Sequence, residues 1–173
     1  LSIKKRNIMK NIRLLWLFPS VFLSSCIYPG GGRDDDFIQP NMYDPVIMQR
    51  ADFESAVTVQ PIQSINTSGK IYIKENLLFI NEFRKGFHVF NYSNPSNPTP
   101  VGFIKIPGAT DLAVRNNTIY INQAVDLVTL QYNISGNSLT VTNRNRNIFP
   151  QMIAPNGEYF DVNDNQIIVD FTN

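Results

Sequence analysis

Residues 70–107 alternate short apolar runs with turn residues, the runs falling at 71–74, 77–81, 87–92 and 101–106. They are built of β-branched residues, leucine and aromatics, with few charges. Short continuous runs of this kind, bounded by turn signals, predict strands buried on both faces. Glu75-Asn76 separates the first two runs, and a two-residue gap predicts a tight hairpin. The asparagine in its second position tolerates the positive φ that a type I′ turn demands.

The pattern recurs. Runs at 112–115 and 118–122 flank Asn116-Asn117, and runs at 160–163 and 166–170 flank Asp164-Asn165. The second turn residues, Asn76, Asn117 and Asn165, lie 41 and then 48 residues apart. The middle unit adds runs at 127–132 and 139–142. Four short strands in about 40–50 residues is the spacing of a β-propeller blade, so the expected fold is all-β, with four-stranded antiparallel blades. A β-sandwich is the alternative, but it does not account for the recurring turn. The 105 residues from 69 to 173 hold two full units and the first two runs of a third, about two and a half blades. Propellers close with about four to eight blades, so the chain reads as the N-terminal fragment of a longer protein.

Gly86-Phe-His-Val-Phe-Asn-Tyr-Ser-Asn-Pro95, Asn97-Pro98, Pro100-Val-Gly102 and Ile106-Pro-Gly108 resemble the LVIVD-repeat family, a group of β-propeller surface and secreted proteins. Gln166-Ile-Ile-Val-Asp170 is similar to the family's strand motif nearly letter for letter. Residues 77–81 and 118–122 are looser forms, with Asn81 and Asn122 where the family has Asp. The likeness runs from residue 70 to the end. It is weaker in the second unit, which lacks the glycine before its third strand and the Asn-Pro after it. The family implies a fold and a surface or secreted habit. It implies no activity, so no catalytic residue is carried over.

Ahead of this body the pattern changes. A charged stretch at 9–13, a mostly apolar run at 14–23 and Ser24-Ser25 lead to Cys26. This order predicts a signal peptide over 1–25, with Met9 as the true start. The apolar run is shorter than the roughly 20 residues that a membrane-spanning helix needs. Leu23-Ser24-Ser25-Cys26 resembles the lipobox of bacterial lipoproteins, which implies that Cys26 is the lipidated first residue of the mature chain. Acyl chains then anchor it, at about 0.8 kcal/mol per buried methylene. Residues 26–45, with Gly30-Gly31-Gly32 and Asp34-Asp35-Asp36, read as a flexible acidic tether. An acidic tract this near the cysteine resembles the surface-export signal of Bacteroidetes-type lipoproteins. The expected address is therefore a lipid-anchored, surface-exposed place on the outer membrane. Residues 46–68 form a lead-in, in which 46–56 allow a short helical turn and 56–59 alternate like a strand.

Charge narrows the partners. Lys and Arg number 15 against 14 Asp and Glu, but five of the basic residues precede Cys26, leaving 10 against 14 and a net −4. A body of that sign has no electrostatic drive toward phosphate backbones, so no nucleic-acid partner is expected. With one cysteine and one histidine, His88, an intrachain disulfide and a two-histidine metal site are excluded, and no cofactor or metal is expected.

His88 sits inside an apolar run and reads as a packed or surface-facing residue rather than a base. Asp161, Asn163, Asp164 and Asn165 begin like a calcium loop, but Gln166 and Thr172 stand where such a loop needs Gly and Glu. Turn chemistry explains them better. Glu82, Asp111 and Asp126 lie near unit boundaries as candidate pocket linings, with nothing to pair them as acid and base. Arg144 and Arg146, with Phe149-Pro150, make a basic loop that reads as solvated, with contact to an acidic glycan or partner as the alternative. The expected function is recognition or scaffolding of a protein or glycan through blade loops. The alternative is the N-terminal part of a propeller enzyme acting on polysaccharide.

Overall fold

The structure, a computed structural model, describes residues 43–173. These are 54% strand and 5% helix, an all-β fold. The strands are β1 (Asp44–Gln49), β2 (Thr58–Gln60), β3 (Ser68–Lys74), β4 (Leu77–Glu82), β5 (Gly86–Asn91), β6 (Thr99–Lys105), β7 (Ala109–Arg115), β8 (Thr118–Gln123), β9 (Asp126–Asn133), β10 (Ser138–Asn145) and β11 (Gln166–Thr172). One helix, α1 (Arg50–Ser55), follows β1. The strands pair antiparallel in three open sheets, ordered β2-β6-β5-β4-β3, β10-β9-β8-β7 and β1-β11.

The two larger sheets share one register. Ile71 pairs with Ile80 and Ile73 with Leu78 in the first; 41 residues on, Leu112 pairs with Ile121 and Val114 with Ile119. The next strand keeps step, since Leu78–Phe90 and Ile80–His88 match Ile119–Leu130 and Ile121–Val128. Alternate residues of a strand share a face, so these sets occupy corresponding faces of the two sheets.

The main core lies between these sheets. Phe79, Phe87, Val89 and Ile104 pack in one cluster with Leu112, Ile119, Ile121, Val128 and Leu130. Phe79 is fully buried, and its truncation to alanine is worth about 3–5 kcal/mol. A second cluster joins Phe53 of α1 to Ala124, Val125, Ile167 and Val169.

Several expectations change. Positive φ falls on Glu75 (54°) and Asn116 (53°), the first turn residues, and neither Asn76 nor Asn117 has it. A type I′ turn needs positive φ at both positions, so these hairpins are not of that type. The third hairpin does not form. Residues 160–163 carry no strand, and β11 pairs instead with β1, from Asp44–Thr172 to Gln49–Gln166. Val46-Ile47-Met48 is more apolar than Phe160-Asp-Val-Asn163, and Asn163 turns its side chain onto the Asn165 N–H at 3.0 Å, a local bond that competes with strand pairing. Within 46–56 the short helical turn is α1 (Arg50–Ser55), while Val46 to Gln49 is strand, and that strand begins inside the stretch read as tether. The first strand of the first unit is also not buried on both faces: Ile71 is 63% and Ile73 56% exposed. The stretch read as a signal peptide, the proposed lipidation site Cys26 and the acidic tract Asp34 to Asp36 lie outside the described residues.

Candidate functional site

The β9–β10 hairpin and the turn of the β7–β8 hairpin line an open surface hollow of about 480 Å³. Ser138 faces Asn133 and Thr140 faces Gln131 across the strands, so their side chains share one polar face, and Asn117 closes the rim. An adjoining hollow of about 210 Å³ shares Asn117, Tyr132 and Ile134 and reaches Lys74, Glu75 and Asn76 on the β3–β4 hairpin. The two hollows meet at those three residues, and the polar one, at the hairpin ends, is the candidate groove.

Its chemistry is mostly neutral. Asn117, Gln131, Ser138 and Thr140 are exposed amides and hydroxyls, each able to donate and accept. Two side chains hold the shape. The Tyr132 hydroxyl donates to Asn137 Oδ1 at 2.7 Å, and burial raises its pKa, which keeps it a donor. Asn133 Oδ1 accepts the N–H groups of Ser135 and Gly136 at 3.0 and 3.2 Å, fixing the tip of the hairpin.

The acidic residues singled out by the sequence lie elsewhere, in three separate networks. Asp111 accepts from Lys70 Nζ at 2.7 Å, from the Tyr72 hydroxyl and from the Leu112 N–H at 2.9 Å. Lys70 and Tyr72 hold its carboxyl below the usual range, while burial and Asp111 push the Tyr72 phenol up to about 12. Glu82 is buried; burial acts to raise its pKa, but the N–H groups of Asn66 and Thr67, at 3.0 and 2.7 Å, and His88 outweigh it and lower it. His88 is buried as well, its Nε2 3.1 Å from Glu82 Oε2, so of the two places its run allowed, packed or surface-facing, it takes the packed one. Asp126 is fully buried and bonds Arg50, Arg144 and the Asn147 N–H.

The basic loop is therefore not simply solvated. Arg144 is drawn in to Asp126 at 2.8 Å, while the exposed Arg146 pairs with Glu54 at 2.8 Å. Asn163 and Gln166 bond backbone N–H groups of their own turn, at 3.0 and 3.3 Å, which is turn chemistry and not ligand spacing. Among the described residues, no three His, Cys, Asp or Glu side chains gather to hold a metal, and no helix is long and apolar enough to cross a membrane.

Sequence reading missed the groove. The signal was present in the alternation of Gln131, Asn133, Ser138 and Thr140 with Tyr132, Ile134 and Leu139, which sets a polar face against an apolar one. Comparison with protein-family models, with curated proteins and with solved structures finds no match.

Proposed function

We propose that this chain is a surface recognition module: stacked β-propeller blades of LVIVD type, held on the bacterial outer membrane through lipidated Cys26, that bind a neutral glycan or a protein loop at the hairpin ends. The shared register of the two larger sheets supports reading them as blades. The observation that carries the binding role is the groove's polar face, where Asn133–Ser138 and Gln131–Thr140 pairs meet Asn117. Amides and hydroxyls match the hydroxyl groups of a sugar by hydrogen bonding, and they supply no proton transfer near neutral pH. Glu82, Asp111 and Asp126 are each committed to their own partners, which favours recognition over hydrolysis.

Calorimetric titration with a panel of neutral oligosaccharides tests the reading. A binder is expected whose affinity falls about tenfold or more when Asn117 and Gln131 are both replaced by Ala, roughly the loss of one good hydrogen bond. Binding that the double variant leaves unchanged overturns the groove's role, and a folded protein that binds none of the panel overturns the glycan reading in favour of a protein loop. Cys26→Ser is expected to release the protein from membranes with its fold intact.

A further inference from the structure

The main core is not sealed at its hairpin end. Leu77, Val114 and Ile134 pack against the buried cluster there but stay only half-buried themselves. With the buried Ile119 and Tyr132 they line the smaller hollow, of about 210 Å³. An apolar mouth between the two larger sheets therefore opens directly beside the polar hollow of Gln131, Ser138 and Thr140.

Asn117, Tyr132 and Ile134 stand on the boundary and line both hollows. The Tyr132 hydroxyl is committed to Asn137 at 2.7 Å, and the Ile134 side chain has no polar atom. Asn117 differs. It is exposed, and its carboxamide has no partner among the described residues, so two N–H donors and a carbonyl oxygen stay open to a ligand. The charges on the far wall are matched, with Lys74 Nζ 3.2 Å from Glu75 Oε1, so nothing there favours an ionised group over a neutral one.

A sugar hydroxyl set against Leu77 and Ile119 would lose its water and gain no partner, which is unfavourable. A methyl group in the same place gains from leaving water. A ligand spanning both hollows thus needs a small apolar group in the mouth, an amide at the boundary and hydroxyls beyond it. On the glycan reading proposed above, we infer that the sugar recognised carries an acetamido group. Its methyl enters the mouth between Leu77, Ile119 and Ile134. Its amide donates to or accepts from Asn117, and the neighbouring ring hydroxyls meet Gln131, Ser138 and Thr140.

Calorimetric titration with two matched pairs tests it: the trimers of N-acetylglucosamine and of glucose in one linkage, and the disaccharides of N-acetylgalactosamine and of galactose in one linkage. In at least one pair the acetylated sugar is expected to bind about tenfold or more tightly, from one buried methyl and one amide hydrogen bond together. Leu77→Gln, which makes the mouth polar, is expected to cut that preference to about threefold or less with an unchanged far-ultraviolet spectrum. Saturation-transfer NMR on the unaltered chain decides the matter even if that variant does not fold, and the acetyl methyl protons should be the most strongly saturated. Equal affinity within both pairs, binding only of sugars without the group, a preference that folded Leu77→Gln keeps, or saturation centred on ring protons overturns the inference and leaves the groove a site for plain neutral sugars. Binding of no sugar in the pairs or in the neutral panel overturns the glycan reading beneath it as well.

Discussion

Arg50 reaches Asp126 across 76 residues of chain, its Nη1 standing 2.9 and 2.7 Å from the two carboxylate oxygens. Arg144 Nη1 and the Asn147 N–H complete the shell at 2.8 and 3.0 Å. Burial opposes the charge on Asp126, but these donors outweigh it and hold the carboxyl below its ordinary value of 3.8. A carboxyl whose folded pKa is depressed stabilises the fold above its unfolded value and loses that contribution as pH falls through the folded one. Asp126→Asn should therefore cost about 3–5 kcal/mol at neutral pH, because it strands two partly buried guanidinium groups. It should also flatten the acid limb of stability below pH 3.8. Urea denaturation at a series of pH values checks both; an acid limb as steep as the parent's would refute the assignment.

Two glycines with positive φ separate strain from crowding. Gly86 has φ +147°, and a Cβ there would lie 2.0 Å from the Ile104 carbonyl oxygen, a backbone atom. Gly157 has φ +86° with nothing within 4 Å. Gly86→Ala is expected to cost roughly 3 kcal/mol or more and Gly157→Ala about 1 kcal/mol, the cost of the backbone conformation alone. Equal losses in chemical denaturation would show that β5 and β6 pack less closely than described.

The hairpin turns predict a stabilising change. Glu75 occupies a left-handed conformation at φ 54°, where a side chain other than Asn or Asp is disfavoured. Glu75→Gly should raise stability by about 0.5–1 kcal/mol, whereas Asn76→Gly should not. A gain confined to position 76 would restore the turn expected from sequence. Thermal unfolding of the two variants distinguishes the cases.

Glu82 ties the segment entering β3 to the sheet, accepting from Asn66 and Thr67 at 3.0 and 2.7 Å. Glu82→Gln replaces one acceptor oxygen by an amide that faces a donor. It should cost about 1–3 kcal/mol and speed hydrogen exchange at Asn66 and Thr67. Unchanged exchange at both amides would sink this role for the carboxylate.

Much of the sheet order could be read in advance because the runs are short, apolar and separated by two-residue turns, so neighbours in sequence are neighbours in space. The partner of β11 could not. A turn at Asp164-Asn165 says where a chain bends, but pairing was decided by competition with a segment 117 to 128 residues away in sequence, Asp44–Gln49 against Gln166–Thr172. The place of positive φ within each turn was equally hidden, since Asn76 and Asn117 satisfy the composition rule without adopting the conformation. The candidate groove is built by two hairpins meeting, and only the face alternation of the last left a local trace. The carboxylates were visible as residues, but the cations and N–H groups that occupy them, such as Arg50 on Asp126, come from distant strands and loops.

The ribbon of β1 and β11 sets Asp44 beside Thr172 and closes at Gln49 beside Gln166. Tension between those two ends would open it one rung at a time, like a zipper, rather than shear all rungs together. The first part of the fold to yield under load is therefore this clasp, and Phe53 would lose its lid over Ile167 and Val169 before the larger sheets felt the pull.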